Sequence, residues 1–227
     1  MTEIRPAATV VLLRDAPDGL HVLLLRRNSS LGFAAGQWVF PGGRVDDGEI
    51  ASAEDGLAAA RLAAARETLE EAQIRIDAPD ALVFFSHWTT PPVMPKRYAT
   101  WFFVGRAPVD DAVTVDGGEI DDHLWVRPAE AIERLRREEI EMLPPTFVTL
   151  VELAACSTVA EALERAASRS PPVFEPHFVM RKGHPTVSIY TGDAGYDASD
   201  PDLPGRRHRM VMARGNWQYL NEGVVPW

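Results

Sequence analysis

The chain has 227 residues, a length that suits one sizeable domain or a domain with an extension. Its 33 acidic residues exceed its 23 basic ones, and the net charge of −10 argues against non-specific binding to nucleic acid or anionic membranes. The single cysteine, Cys156, excludes an intrachain disulfide and favours a reducing cytoplasm. The apolar runs are too short to cross a bilayer, so no membrane partner is expected.

The first part of the chain has the pattern of strands joined by turns. Strands are predicted at residues 9–14, 21–27 and 37–40. The last of these ends on Pro41-Gly42-Gly43, and Ser52 with Asp55 then resembles a capping box. The composition beyond it is dominated by Ala, Leu, Arg and Glu, which predicts a long helix over residues 53–73.

The middle of the chain alternates between strand and helix patterns. Aromatic and β-branched runs predict strands at residues 81–88, 98–105 and 124–126. Helices are predicted from Pro128 to about 141, along the apolar stripe of Phe147, Leu150, Val151 and Ala154, and from the cap Thr158 to about 168. Because these elements lack a steady βαβ rhythm, we expect an α/β fold with a mixed sheet, arranged as an α/β/α sandwich.

Residues 171–227 have a different texture, with many prolines and glycines. Strands are predicted there at 177–181, 186–190 and 208–213. We interpret 1–170 as the main domain and 171–227 as a β-rich C-terminal extension packed on that domain. The acidic loop around Asp193 and the basic run Arg206 to Arg209 are interpreted as solvated surface, with a phosphate contact from the basic run as the alternative.

The residues that point to chemistry lie at the end of the long helix. Glu67, Glu70 and Glu71 are spaced by three and four positions, so their carboxylates project from one side. Their mutual repulsion costs about 0.2–0.5 kcal/mol per pair, which a bound cation would recover. Oxygen-only ligands indicate a hard ion such as Mg²⁺ or Mn²⁺. The alternative is an ordinary solvated helix face.

The glycine turn upstream favours the metal site over the solvated helix face. Gly43 and Glu49, followed by Arg66, the three glutamates and Ile74, resemble the box of the Nudix hydrolase family, G-x5-E-x7-R-E-U-x-E-E-x-G-U. Three departures stand out. Sixteen residues separate Glu49 from Arg66, so Glu54 is a second candidate for the first glutamate, Thr68 takes an aliphatic position and Gln73 replaces the closing glycine.

The resemblance implies a Nudix-type sandwich that hydrolyses a phosphoanhydride with Mg²⁺ or Mn²⁺. It assigns the metal to Gly43, Glu67, Glu70 and Glu71, through the backbone carbonyl in the case of Gly43. Arg66 would position its neighbours through a salt bridge. The general base varies within the family, and both Glu71 and Glu119 are candidates here.

The segment before the glycine turn resembles the branch of the family that cleaves coenzyme A. Arg27, Leu31 and Gly36 keep the register of its signature, together with Phe40-Pro41-Gly42-Gly43. Lys96 and Arg97, beside an aromatic strand, are candidates for contacts with the 3′-phosphate of coenzyme A. They are equally well explained as surface cations.

Three functions are therefore in competition. The first is hydrolysis of coenzyme A or acyl-CoA to 3′,5′-ADP and (acyl-)phosphopantetheine. The second is hydrolysis of ADP-ribose or a dinucleotide, and the third is a non-catalytic module that senses a nucleotide. The intact glutamate trio disfavours the third. A small nucleotide-derived substrate is the expected partner, and a homodimer is possible by analogy with the family.

Overall fold

A computed structural model describes residues 3–30, 34–108 and 112–227. Leu31, which belongs to the predicted substrate segment, lies outside these ranges. The strands are β1 (Ile4–Ala16), β2 (Gly19–Arg27), β3 (Trp38–Val39), β4 (Gly42–Arg44), β5 (Val83–Thr89), β6 (Arg97–Arg106), β7 (Ile120–Val126), β8 (Val173–Phe174), β9 (His177–Val179), β10 (Thr186–Ile189), β11 (His208–Ala213) and β12 (Asn216–Asn221). The helices are α1 (Asp47–Ser52), α2 (Gly56–Ala72), α3 (Pro128–Arg136), α4 (Pro144–Leu153) and α5 (Val159–Ala167).

The main sheet is mixed. Its strands run in the order β3-β2-β1-β6-β5-β8, with β4 added to β1 and β7 added to β2. Strands β1 and β6 are parallel, whereas β1 pairs with β2 and with β4 in antiparallel fashion. Helix α2 covers one face of this sheet and helices α3 to α5 cover the other. The predicted mixed-sheet α/β/α sandwich is confirmed.

Helix α2 lies against the sheet through small side chains. The alanines that it buries there are Ala59, Ala60, Ala63, Ala64 and Ala72. Methyl groups let the helix axis approach the strands closely, and the last turns carry the glutamates, with Glu71 buried beside Ala72 at the end of the same apolar contact. The helix begins at Asp55, whose carboxylate accepts a hydrogen bond from the Ala58 N–H at 2.8 Å.

A second, antiparallel sheet of the order β12-β11-β10-β9 follows the main one. Its buried side chains, among them Tyr190 and Met210, join the same apolar core as α3 to α5. Arg169 adds a polar contact, because it forms a buried ion pair with Glu152 at 3.0 Å and lies 4.3 Å from the ring centroid of Trp227.

Several boundaries differ from those predicted. Ser52 is not a cap, since it ends the short helix α1, and Asp55 caps α2 alone. Helix α3 ends at Arg136 rather than near 141, because Glu138 adopts a positive φ of 58° and the chain beyond it pairs with Trp38. Strand β12 was not predicted. Its inner and outer residues alternate, but polar residues interrupt its apolar pattern.

The charged segments of the extension are not uniformly solvated surface. The side chain of Asp193 is fully buried and forms a bidentate ion pair with Arg209, at 2.6 and 2.7 Å. His208 is also buried and contacts Thr191 and Tyr219. Because these side chains satisfy one another inside the second sheet, the predicted alternative of a phosphate contact is wrong for Arg209 and His208.

None of the described helices is both long enough and apolar enough to cross a membrane.

Candidate active site

Glu71 is the most deeply placed of the three glutamates. It lies in the last turn of α2, is 5% exposed, and accepts a hydrogen bond from the Gly42 N–H at 2.9 Å. Burial raises the pKa of its carboxyl to about 8, with Glu67 adding to the effect and the Gly42 hydrogen bond opposing it. A nearby cation would hold this carboxylate ionised, since opposite charge counteracts the effect of burial.

Arg66 connects the glutamates to one another. Its guanidinium donates to Glu49 at 2.9 Å, to Glu67 at 2.8 Å and to Glu70 at 3.1 Å. It also donates to the backbone carbonyl of Arg44 at 2.9 Å. Burial lowers the pKa of Arg66, but these ion pairs raise it by more, so the side chain stays charged. The planar fork thus fixes α1, α2 and β4 relative to one another.

The backbone of strand β4 lies close to helix α2. Gly43 pairs with Ala8 of β1, and a Cβ at position 43 would collide with the carboxylate of Glu67. Glycine here allows the close approach of the Glu67 carboxylate, which a Cβ would displace, and its backbone angles are ordinary. The Glu67 carboxyl is partly buried in this contact, and its pKa is raised chiefly by desolvation.

A fourth and a fifth carboxylate come from the loop before β7. Asp116 accepts backbone hydrogen bonds from Gly118, Glu119 and Ile120, at 3.2, 2.9 and 2.8 Å. Burial raises the pKa of Asp116, but these hydrogen bonds lower it by more. The tight turn holds Glu119 at the mouth of the site with its side chain largely exposed.

These side chains surround a cavity of about 130 Å³, which we call the acidic pocket. Its lining residues are Glu67, Glu70, Glu71, Asp116 and Glu119. Among the described residues, no three acidic, histidine or cysteine side chains are already arranged as ligands of one ion. The donor set nevertheless fits a hard divalent cation, because it offers only oxygen atoms and includes the buried Glu71. The predicted metal ligands thus lie together, with Gly43 beside them.

The predicted substrate contacts fall in two places. Arg27 lies at the acidic pocket, 3.9 Å from the Glu71 carboxylate and 3.4 Å from that of Glu119. Lys96 and Arg97 line a separate cavity at the start of β6. The three cations therefore do not form a single group.

Two residues of the site were missed or left open by the sequence. Asp116 was not predicted, although Asp116-Gly117-Gly118 is a turn signal that could have placed its side chain beside Glu119. The sequence left two candidates for the first glutamate of the box, and Glu49 is the one that contacts Arg66. Glu54 is exposed on the segment between α1 and α2. The extra residues form α1 and this connection, so they leave the two halves of the box together.

Comparison with known families gives one match that covers most of the chain. A model of the NUDIX domain matches residues 3–145. An acyl-coenzyme A diphosphatase of Xenopus laevis is 23% identical over 92% of this chain and 80% of its own length. A protein of the same name from Gallus gallus is 29% identical over 82% of this chain, which spans 54% of that protein.

Solved structures have the same fold. A NUDIX hydrolase from Alicyclobacillus acidocaldarius is 28% identical, covers 72% of this chain and 97% of its own, and superposes with a TM-score of 0.62. The NUDIX domain of Shewanella oneidensis NrtR, solved with ADP ribose, is 16% identical, covers 68% of this chain and 88% of its own, and has a TM-score of 0.50. The second similarity concerns the fold alone.

Proposed function

The chain belongs to the NUDIX family and is a pyrophosphohydrolase, and we propose that its substrate is coenzyme A or an acyl ester of coenzyme A. The products would be 3′,5′-ADP and phosphopantetheine or its acyl derivative. The hydrolytic activity is supported by the acidic pocket, where the carboxylates of α2 lie beside those of the loop before β7 and close to Gly43 of β4.

The family uses divalent metal ions, and we propose Mg²⁺ or Mn²⁺ here. Glu67, Glu70 and Glu71 would hold the metal through carboxylate oxygens, and Gly43 would contribute its carbonyl. When bound, such an ion polarises a phosphoryl oxygen and offsets the negative charge of the diphosphate. The five carboxylates that line the pocket and the net charge of −10 would otherwise repel an anionic substrate, so this compensation favours its binding.

The residues around the acidic pocket have distinct proposed roles. Arg66 is a positioning residue, because it holds Glu49, Glu67 and Glu70 through one guanidinium. The proton of the attacking water would pass to a carboxylate of Glu71 or Glu119. Burial favours Glu71, whereas exposure at the mouth of the pocket favours Glu119.

Arg27 would contribute to substrate binding at this pocket. It lies between the two candidate bases and its side chain is mostly buried. A fixed guanidinium at that position suits the oxygens of a diphosphate, for which it offers paired donors. Lys96 and Arg97 would bind the nucleotide half of the substrate at the second cavity.

The choice of coenzyme A is supported by the relatives. Both acyl-coenzyme A diphosphatases align over more than four fifths of this chain. The segment that contains Arg27 and the glycine turn also resembles the signature of the coenzyme A-cleaving branch.

A substrate panel tests this choice. The purified protein with Mg²⁺ is incubated with coenzyme A, acetyl-CoA, ADP-ribose and NADH, and the products are identified by mass spectrometry. We expect 3′,5′-ADP from coenzyme A and acetyl-CoA at rates well above those for the other two. Rapid turnover of ADP-ribose with neglect of both coenzyme A and acetyl-CoA would contradict the assignment and favour the ADP-ribose alternative.

The metal ligands are tested by amide substitutions. Glu70→Gln and Glu71→Gln each remove one anionic oxygen donor, and we expect kcat to fall at least about 100-fold with an unchanged circular dichroism spectrum. Glu54→Gln is the matched control, because Glu54 is exposed and outside the pocket. Near-normal rates in both pocket variants would refute the ligand roles.

The cytoplasmic location and the homodimer stay predictions, since neither follows from the geometry of one chain.

A further inference from the structure

A second cavity, of about 360 Å³, lies at the end of the main sheet and is lined by cations. We call it the basic pocket; the side chains that matter to its chemistry are Arg5, Arg44, Lys96, Arg97, Tyr98 and Glu3. Four cations face one acid there, in a chain whose acidic residues outnumber its basic ones. Only Lys96 and Arg97 were predicted from the sequence, because the other two arginines come from distant segments.

The strand register explains how these residues meet. In the parallel pairing of β1 and β6, Arg5 lies opposite Tyr98. In the antiparallel pairing of β1 and β4, Ala7 lies opposite Arg44. Strand β1 is thus flanked by β4 and β6, and the cations of three strands are gathered around its first residues.

Some cations of the basic pocket have polar partners among the described residues, and others have no acidic one there. Arg5 lies 3.6 Å from Glu3 in an exposed pair, and Arg97 donates to the Thr90 carbonyl at 3.0 Å, which fixes its side chain. Within the described part of the chain, Arg44 and Lys96 have no acidic partner. Neighbouring cations repel one another, so an anion that carries more than one charge would stabilise the group. A phosphate monoester carries between one and two negative charges at neutral pH and accepts paired donors from arginine.

Strand β4 connects the basic pocket to the acidic one. Its three residues act in order: the Gly42 N–H binds Glu71, Gly43 packs against Glu67, and the Arg44 carbonyl accepts from Arg66. The Arg44 side chain then lines the basic pocket. The Cα atoms of the neighbouring residues Gly43 and Arg44 are about 3.8 Å apart, so the basic pocket begins one residue beyond the contact with Glu67. We therefore expect the nucleoside that adjoins a diphosphate at the acidic pocket to reach Arg44.

We propose that the basic pocket binds a phosphate monoester on the ribose of the substrate, and that Arg44 and Arg5 select substrates that carry this additional phosphate. The proposal rests on the proposed function, since it needs the diphosphate to lie at the acidic pocket. Coenzyme A carries such a group on the 3′-oxygen, whereas other nucleotides carry it on the 2′-oxygen. The two positions share the same recognition chemistry.

Direct binding tests the pocket without turnover. The probes are 3′,5′-ADP, 2′,5′-ADP and 5′-AMP, titrated calorimetrically into the full chain. We expect 3′,5′-ADP to bind about tenfold or more tightly than 5′-AMP, which is the effect of one charge-assisted contact of about 1.4 kcal/mol. The 2′,5′-ADP titration shows whether the ribose position matters. Equal affinity of the wild type for all three probes would overturn the proposal.

Arginine variants identify the residues. Arg44→Ala should remove most of the preference for 3′,5′-ADP over 5′-AMP, and Arg5→Ala should reduce it. The backbone contact of residue 44 with Arg66 is kept in Arg44→Ala, so folding is expected to survive. Arg214→Ala is the matched control, since Arg214 is an exposed arginine paired with Glu138 far along the chain. A preference that survives in both Arg44→Ala and Arg5→Ala would contradict the assignment.

Hydrolysis separates this proposal from the proposed function. The wild type should have a higher kcat/KM for coenzyme A than for 3′-dephospho-coenzyme A, and Arg44→Ala should reduce that ratio about tenfold or more. Equal turnover of both by the wild type would overturn the selectivity while the diphosphatase activity stands. If neither coenzyme A nor 3′-dephospho-coenzyme A is hydrolysed but the titrations show an Arg44-dependent preference for 3′,5′-ADP, phosphate binding at the basic pocket is supported and coenzyme A is refuted as the substrate.

Discussion

Gln73 ends helix α2 in a left-handed conformation, with φ of 59° and ψ of 23°. The family box has glycine at this position, because a residue without a Cβ adopts that conformation at little cost. The chain nevertheless keeps the same helix end, as the Gln73 N–H binds the Leu69 carbonyl at 3.1 Å. The departure therefore affects the stability of the helix end and leaves the direction of the glutamates unchanged.

Gln73→Gly should raise the free energy of unfolding by about 0.5–1 kcal/mol, since it relieves a left-handed backbone that costs a non-glycine residue about 1–2 kcal/mol. The measurement is the urea midpoint of the metal-free protein. Gln73→Ala is the control, because it removes the side chain and keeps the Cβ. Equal shifts in the two variants would show that the backbone conformation is not the cause.

Single residues of the site were predictable where a motif fixes them. Glu67, Glu70 and Glu71 follow from helical spacing, and they do lie together. Asp116 and Arg44 were not predicted, because their positions depend on a loop turn and on strand pairing. The turn signal relates Asp116 to Glu119, but the approach of that loop to α2 and the pairing of β4 with β1 join segments that are far apart in the chain, and no local pattern contains that information.

At the scale of elements, α2 determines where the carboxylates stand. Its alanine face was visible in the sequence as a helix-forming run, but the pattern lacks the large apolar side chains that usually mark a buried face. The start of the helix was predicted a few residues early, since Ser52 and Asp55 are both good caps and only the fold selects between them.

Ala63→Leu should destabilise the protein by about 1–3 kcal/mol, because Ala63 is fully buried against the sheet and a larger side chain has no space there. It should also lower kcat, since Glu67 lies one turn further along the same helix. Chemical denaturation and steady-state kinetics measure the two effects. Leu62→Ala, on the exposed side of the same turn, is the control, and equal losses in both variants would exclude packing as the cause.

At the scale of the whole molecule, residues 171–227 add a second sheet to the core of the main domain. Arg169 is held by Glu152, by the Pro226 carbonyl at 3.0 Å and by the rings of Phe85 and Trp227. These contacts join residues on both sides of position 170. We therefore propose that 1–170 and 171–227 unfold together, as one cooperative unit.

Trp227→Ala tests this by calorimetry. Loss of the ring contacts with Arg169 and Phe85 should cost about 2 kcal/mol and lower the midpoint of one single transition. Leu203→Ala, a partly exposed position of the extension, should have little effect. A separate early transition in Trp227→Ala, with the main one unmoved, would mean that the extension melts as an independent domain.

The alanine face of α2 has a further consequence for how the helix keeps its place. Methyl groups present a nearly smooth surface without ridges, so packing alone opposes sliding along the axis only weakly. Three hydrogen bonds oppose such sliding. Arg61 donates to the Leu82 carbonyl at 3.2 Å, Glu71 accepts from the Gly42 N–H, and the Ala72 carbonyl accepts from the Thr114 N–H at 3.0 Å. The ionisation state of Glu71 would thus affect both the position of the helix on the sheet and the chemistry of the acidic pocket.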